Sequence, residues 1–255
     1  MLGFVYSLAS YLGFLAVFVY FACFTAGAVV PQTVDTGSPG SVGAALAIDL
    51  ALIVAFGLQH SVMARKGFKR WLTRLVPESL ERSTYVLFTS LVLALLIGLW
   101  RPLPFVLFHV AQPELAATLW ILGALGWLGV PFTSFLIDHF DLFGVKRAFN
   151  GFRRRSLAQK GFVTPLLYKY VRHPMMTSVL VGLWATPHFT LGHLVLAAGM
   201  SGYIVVGVHF EERSLIAELG SAYVRYQATT PKFLPFGAPE ARDQTPTSAP
   251  LSGNG

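Results

Sequence analysis

Two short charged patterns stand where apolar runs begin and end, Tyr168-Lys169-Tyr170-Val171-Arg172-His173-Pro174 before one run and Phe210-Glu211-Glu212-Arg213 after another. If the chain between them folds back on itself, an arginine, a histidine and two carboxylates meet at one end of a helical hairpin. That donor and acceptor set can grip a polar ligand. Arg172, Glu211 and Arg213 also have a plainer use as anchors of helix ends at a membrane boundary, where charge costs little. For proton handling the candidates are His60, as a base, and Asp138, His139 and Asp141, with Asp138 orienting His139. Gln59 and His60 have an alternative role in hydrogen-bonding neighbouring helices. Phe162, Tyr168 and Tyr170 offer aromatic faces that attract a cation by about 0.5 to 2 kcal/mol, although interfacial aromatics such as Tyr170 also anchor helices. Cys23 is the only cysteine, which excludes an intrachain disulfide and a CxxC redox or metal site. Seven histidines leave open a non-enzymatic haem- or metal-binding protein. No HxxxH pattern supports that reading, and Asp138-His139-x-Asp141 is too short to define a metal site, so no metal is expected.

The elements that must position these residues are membrane helices. Of the 255 residues 54% are hydrophobic and 12% charged, the latter about half the usual share of a soluble domain. Apolar stretches long enough to cross about 30 Å of hydrocarbon run from Phe4 to Val30, Val42 to Ala64, Thr84 to Trp100 and Leu115 to Ile137. Met175 to Thr186 is too short for a relaxed crossing, and Thr186-Pro187 interrupts the run before Leu191 to Phe210 resumes it, so a broken helical hairpin is expected there. The fold class is all-α, a polytopic transmembrane bundle of five to six membrane segments ending in that hairpin. Residues 1–236 form a single domain, and 237–255, rich in Pro, Ser, Gly and Thr, a disordered tail.

The net charge of +7 does not call for nucleic acid, because every Lys and Arg except Arg101 falls on one side of these segments. The positive-inside bias puts the N-terminus, both basic loops and the C-terminal tail in the cytoplasm, with the candidate residues facing the same side of the cell (inner) membrane. The first segment lacks a preceding basic residue and exceeds a signal-peptide core, so it reads as a retained helix. Lys66 to Leu80 alternates basic and apolar residues at helical spacing, as a helix lying on anionic headgroups does.

Arg172-His173-Pro174, an apolar hairpin, the Glu211-Glu212 pair, then Gly220, Tyr223, Tyr226, Pro231 and Pro235 resemble the C-terminal signature of the isoprenylcysteine carboxyl methyltransferase superfamily. Over nearly the whole chain, Gln59-His60-Ser61-Val62-Met63-Ala64-Arg65, Glu81-Arg82-Ser83-Thr84-Tyr85, Trp100-Arg101-Pro102 and Asp138-His139-Phe140-Asp141-Leu142-Phe143-Gly144 resemble the bacterial methanethiol S-methyltransferases within it. The resemblance implies S-adenosylmethionine as cofactor, held by Lys160, Gly161, Phe162, Val163, Tyr168, His173, Pro174, Met175, Met176 and Glu211. It implies methyl transfer to methanethiol, giving dimethyl sulfide, with a lipid-like acceptor as the alternative. The superfamily often has His at the place of Lys160 and Tyr at that of Met176. An arginine that serves a prenylated carboxylate is replaced by Gly207, which argues against that acceptor.

Thiol-to-sulfonium displacement cancels charge as the transition state forms, so a poorly solvated site suits it. An alkyl thiol titrates at or above about 8.5, which is why a base such as His60 is sought. His188 and His193 fall at the outer rim, far from a cofactor supplied by the cell interior.

Overall fold

The structure, a computed structural model, describes residues 1–38, 40–153, 155 and 162–236. The expected tail, 237–255, and the expected cofactor residues Lys160 and Gly161 lie outside the described residues. In chain order the helices are α1 (Leu2–Ala26), α2 (Val42–Ala64), α3 (Lys66–Leu72), α4 (Glu81–Leu99), α5 (Pro113–Ile137), α6 (His139–Leu142), α7 (Val145–Phe152), α8 (Pro174–Trp184), α9 (Leu191–Leu219) and α10 (Ser221–Thr229). Five of them, α1, α2, α4, α5 and α9, are long and apolar enough to cross a bilayer, and α8 is the shorter arm of the expected C-terminal hairpin with α9. Leu12, Val19, Val54, Leu95, Ile121 and Leu125 point outward, which a bilayer tolerates and water does not.

The element boundaries have local causes. α1 stops at Ala26 rather than Val30 because Gly27 takes a left-handed conformation (φ 68°) and its amide closes on the carbonyls of Cys23 and Phe24. α4 begins at Glu81, earlier than Thr84, since an acid in the first turn favours the helix dipole and Glu81 also meets Lys69 at 3.6 Å. The basic surface helix ends at Leu72 instead of reaching Leu80, because Pro77 offers no amide to continue it; a short 3-10 turn at Glu78–Leu80 follows. α9 continues past Phe210 to Leu219, so Glu211 and Glu212 stand on the same rigid helix that crosses the bundle.

Small residues let the helices approach closely. Along the α5–α8 seam Gly123, Gly126 and Gly129 face Ala185, Gly182 and Ser178, and a Cβ at Gly126 would lie 2.4 Å from the Gly182 amide. Phe21, Phe24, Trp100, Trp127, Leu183 and Leu196 fill the core between α1, α4, α5, α8 and α9. At the end of the bundle away from Arg172 and Glu212, the strands β1 (Val106–His109) and β2 (His188–Thr190) pair antiparallel, with Phe108 opposite Phe189 and His109 opposite His188. This two-stranded clasp joins the α4–α5 connection to the broken tip of the hairpin.

Candidate active site

The Arg172-His173-Pro174 segment is held as an extended strap. The Arg172 and His173 amides donate to the carbonyls of Pro231 and Lys232, and Pro174 then occupies the first turn of α8, where its missing amide costs nothing. The Arg172 side chain is fully buried. Its Nε donates to Glu212 Oε1 at 2.7 Å, and its Nη1 donates to the carbonyls of Gln227 and Thr230. A buried ion pair survives only when its remaining groups are also met. Here His173 Nε2 lies 3.1 Å from Glu212 Oε1, Lys232 Nζ lies 3.6 Å from Oε2, and the Tyr223 hydroxyl donates to Oε1 at 3.5 Å. Glu212 thus fastens α8, α9 and α10 together.

Its neighbour Glu211 points elsewhere. Its side chain is 51% exposed, with His173 Nδ1 at 3.8 Å from Oε2 as its ion-pair contact. Of the expected cofactor residues, His173 and Glu211 therefore meet at one end of the hairpin, with Pro174, Met175 and Met176 in the first turn of α8, whose amides carry no side-chain cap. Phe162, about two-fifths exposed, meets Tyr223 and Tyr226 in edge contacts at ring separations of 6.0 and 5.4 Å, and Val163 beside it is exposed. Tyr168 is half-buried. Burial, and after it the Glu211 charge, pushes its phenol above the usual tyrosine range. Burial also pushes Tyr226 up to about 12, and its hydroxyl stays protonated to donate to the Tyr168 carbonyl. Tyr223 is raised by burial and then by Glu212.

His60 stands a turn before the C-terminal end of α2 inside an aromatic box. Its ring packs on Phe56 at 5.6 Å, Tyr85 of α4 at 5.1 Å and Tyr203 of α9 at 5.9 Å. Nδ1 lies 3.5 Å from the Thr89 hydroxyl, whereas Nε2 has no hydrogen-bond partner among the described residues. Gln59 donates to the same Thr89 and to Met63 Sδ, and its buried Oε1 has no partner among the described residues. Tyr203 of the box and Glu211 of the hairpin end stand on the same helix, α9, two turns or about 12 Å apart along its axis.

Asp138, His139 and Asp141 form a separate network. Asp138 caps α6 through the Asp141 amide and meets Lys146 at 2.6 Å, while Asp141 bridges Arg82 at 3.0 Å and Arg147 at 3.2 Å. His139 is buried, stacked on Phe135 at 4.0 Å, with Nδ1 2.6 Å from the Ser134 hydroxyl and Nε2 2.7 Å from the Tyr11 hydroxyl. Burial lowers its pKa, so the ring is neutral, and Ser134 and Tyr11 fix its orientation. The contacts of His139 and Asp141 run to α1, α4, α5 and α7, not to the hairpin end.

Sequence reasoning passed over Glu212 as the buried partner of Arg172, and Tyr85 and Tyr203 as walls of the His60 box. Adjacent glutamates on a helix point about 100° apart, as 3.6 residues per turn dictate, and only packing decides which turns inward. Tyr85 had a signal, because it closes the Glu81-Arg82-Ser83-Thr84-Tyr85 motif; Tyr203 had none.

The NnrU protein family matches residues 49–238. The methanethiol S-methyltransferase of Mycobacterium tuberculosis is 47% identical over 232 residues, covering 91% of this chain and 95% of that protein. The chain belongs to the methanethiol S-methyltransferase family. Methanethiol S-methyltransferase 2 of Bradyrhizobium diazoefficiens is 45% identical over 90% of this chain and 88% of its own length, and the Pseudomonas sp. (strain GM41(2012)) methanethiol S-methyltransferase is 43% identical over 91% and 90%. No solved structure matches this member of the family.

Proposed function

We propose that this membrane protein transfers a methyl group from S-adenosylmethionine to methanethiol, releasing dimethyl sulfide, with its donor site at the cytoplasmic end of the α8–α9 hairpin. The observation that carries this reading is the convergence of His173 and Glu211, distant in sequence, beside a histidine box that keeps an unpartnered ring nitrogen. The relatives named for that reaction support it. The positive-inside distribution of Lys and Arg supports the orientation, with the N-terminus and the tail in the cytoplasm.

The residues fit the cofactor. Glu211 is a half-exposed carboxylate suited to a ribose diol or an ammonium group, Phe162 offers an open aromatic face, and the uncapped first turn of α8 suits a carboxylate. Tyr168, His173, Pro174, Met175, Met176 and Val163 complete the set, with Lys160 and Gly161 assigned to it by resemblance. S-adenosylmethionine supplies an electrophilic methyl group when bound. His60 Nε2 takes the thiol proton as the new carbon–sulfur bond forms and the donor's methyl–sulfur bond breaks. His60 is preferred to His139 as base because both ring nitrogens of His139 are engaged. The apolar walls Phe56, Tyr85 and Tyr203 keep water from the exchange of charge.

Incubating the purified protein with labelled S-adenosylmethionine and methanethiol should release labelled dimethyl sulfide into the headspace. Cofactor binding without methylation of any thiol sinks the proposal, and labelled lipid in its place would favour a lipid-like acceptor.

A further inference from the structure

α2 and α9 run side by side in the same direction, as successive contacts show. Ile53 lies against Gly199, Gly57 against Tyr203, Arg65 over the Phe210 ring at 4.5 Å, and Lys66 by Glu218 at 3.3 Å. Tyr203 is the large side chain in this seam. Its ring sits on the bare backbone of Gly57, where a Cβ would come within 2.9 Å of Tyr203 Cδ2. It meets Phe56 edge-on at 5.8 Å and 77°, and His60 at 5.9 Å and 86°. The ring is thus clamped from α2.

One turn further inward, position 207 carries no side chain. Among the described residues a Cβ there would touch only the Tyr203 ring, 3.9 Å from Cζ, so the space beside it is open. Tyr203, Gly207 and Glu211 follow at helical spacing on one stripe of α9, an aromatic wall, a gap and a carboxylate in that order. An acceptor between His60 and the hairpin end has to sit in the gap, and a longer one has to pass the ring.

We infer that Tyr203 sets the size of the acceptor: its ring, seated on Gly57, walls off the α2–α9 seam above the gap at Gly207 and admits only a short alkyl thiol. This rests on the thiol methyltransferase reading above. The ring's bulk performs the selection, and its hydroxyl is dispensable for it.

The test uses the full-length protein with S-adenosylmethionine and methanethiol, ethanethiol or butanethiol. The wild type is expected to favour methanethiol over butanethiol by at least about tenfold in kcat/KM, the scale on which an apolar pocket discriminates added methylenes. Tyr203→Ala should reduce that preference about tenfold, and Tyr203→Phe should preserve it. Tyr203→Val decides the matter if the alanine variant no longer binds the cofactor in calorimetry. Equal use of the thiols by the wild type, or an unchanged preference in the cofactor-binding small-residue variant, overturns the assignment of Tyr203 while leaving thiol methylation standing. A wild type that binds cofactor and methylates none of the thiols overturns the functional reading itself, and this inference with it.

Discussion

At the scale of single residues, neighbouring carboxylates receive opposite duties. Glu212 is buried against Arg172 and His173, while Glu211 faces outward with its oxygens available. Glu211→Gln removes the charge but keeps the shape. It should weaken S-adenosylmethionine binding by about tenfold or more, the worth of one hydrogen bond to a charged group, and calorimetry showing unaltered affinity would count against the assignment. His60→Ala should lower kcat by about a hundredfold or more while the cofactor affinity stays within a few-fold, as loss of a general base does. Full turnover at neutral pH would remove His60 from the mechanism. The sequence led to the expectation that a Glu pair and Arg-His meet if the hairpin folds back, and they do. It did not show which glutamate turns inward, because that choice belongs to the packing of α10 and Lys232 around it.

At the scale of elements, the hairpin end is fastened by one buried ion pair and the α5–α8 seam by glycines. Arg172→Met leaves Glu212 buried beside fewer cations and should cost about 3 to 5 kcal/mol of stability, read as a lower melting temperature in detergent. An unshifted melting curve would show that the pair carries no load. Gly126→Ala places a methyl 2.4 Å from the Gly182 backbone amide, where no flexible side chain can yield. Thermal unfolding should report a loss of about 1 to 3 kcal/mol from the overpacked seam, and a neutral result would show that the helices slide apart freely. The places of α1, α2, α4 and α5 were legible from apolar runs, the ends of α1 and α4 only to within a turn, whereas the β1–β2 clasp was not. Its strands lie far apart in sequence, and their pairing depends on the hairpin tip reaching the α4–α5 connection.

For the whole molecule, the apolar outer face and the one-sided basic residues together imply a single orientation in the bilayer. In a Cys23→Ser background, Arg101→Cys should react with a membrane-impermeant maleimide in intact cells, whereas Arg70→Cys and Arg225→Cys should react only after permeabilisation. Labelling of Arg225→Cys in intact cells would place the hairpin end, and with it the proposed cofactor site, on the wrong side. All three positions are exposed, so access depends on the membrane alone.

The sequence by itself determined that this chain is a helical membrane protein, which stretches are long and apolar enough to cross a bilayer, and which charged motifs stand at their ends. Hydropathy and charge act along the chain, and a bilayer reads them segment by segment. Tertiary structure alone decided that His139 is locked by Ser134 and Tyr11 while His60 Nε2 has no hydrogen-bond partner among the described residues, and that the Tyr203 ring lies on Gly57. Those outcomes depend on which faces of separate helices touch, and lateral contact between helices leaves no mark in the order of residues along any one of them.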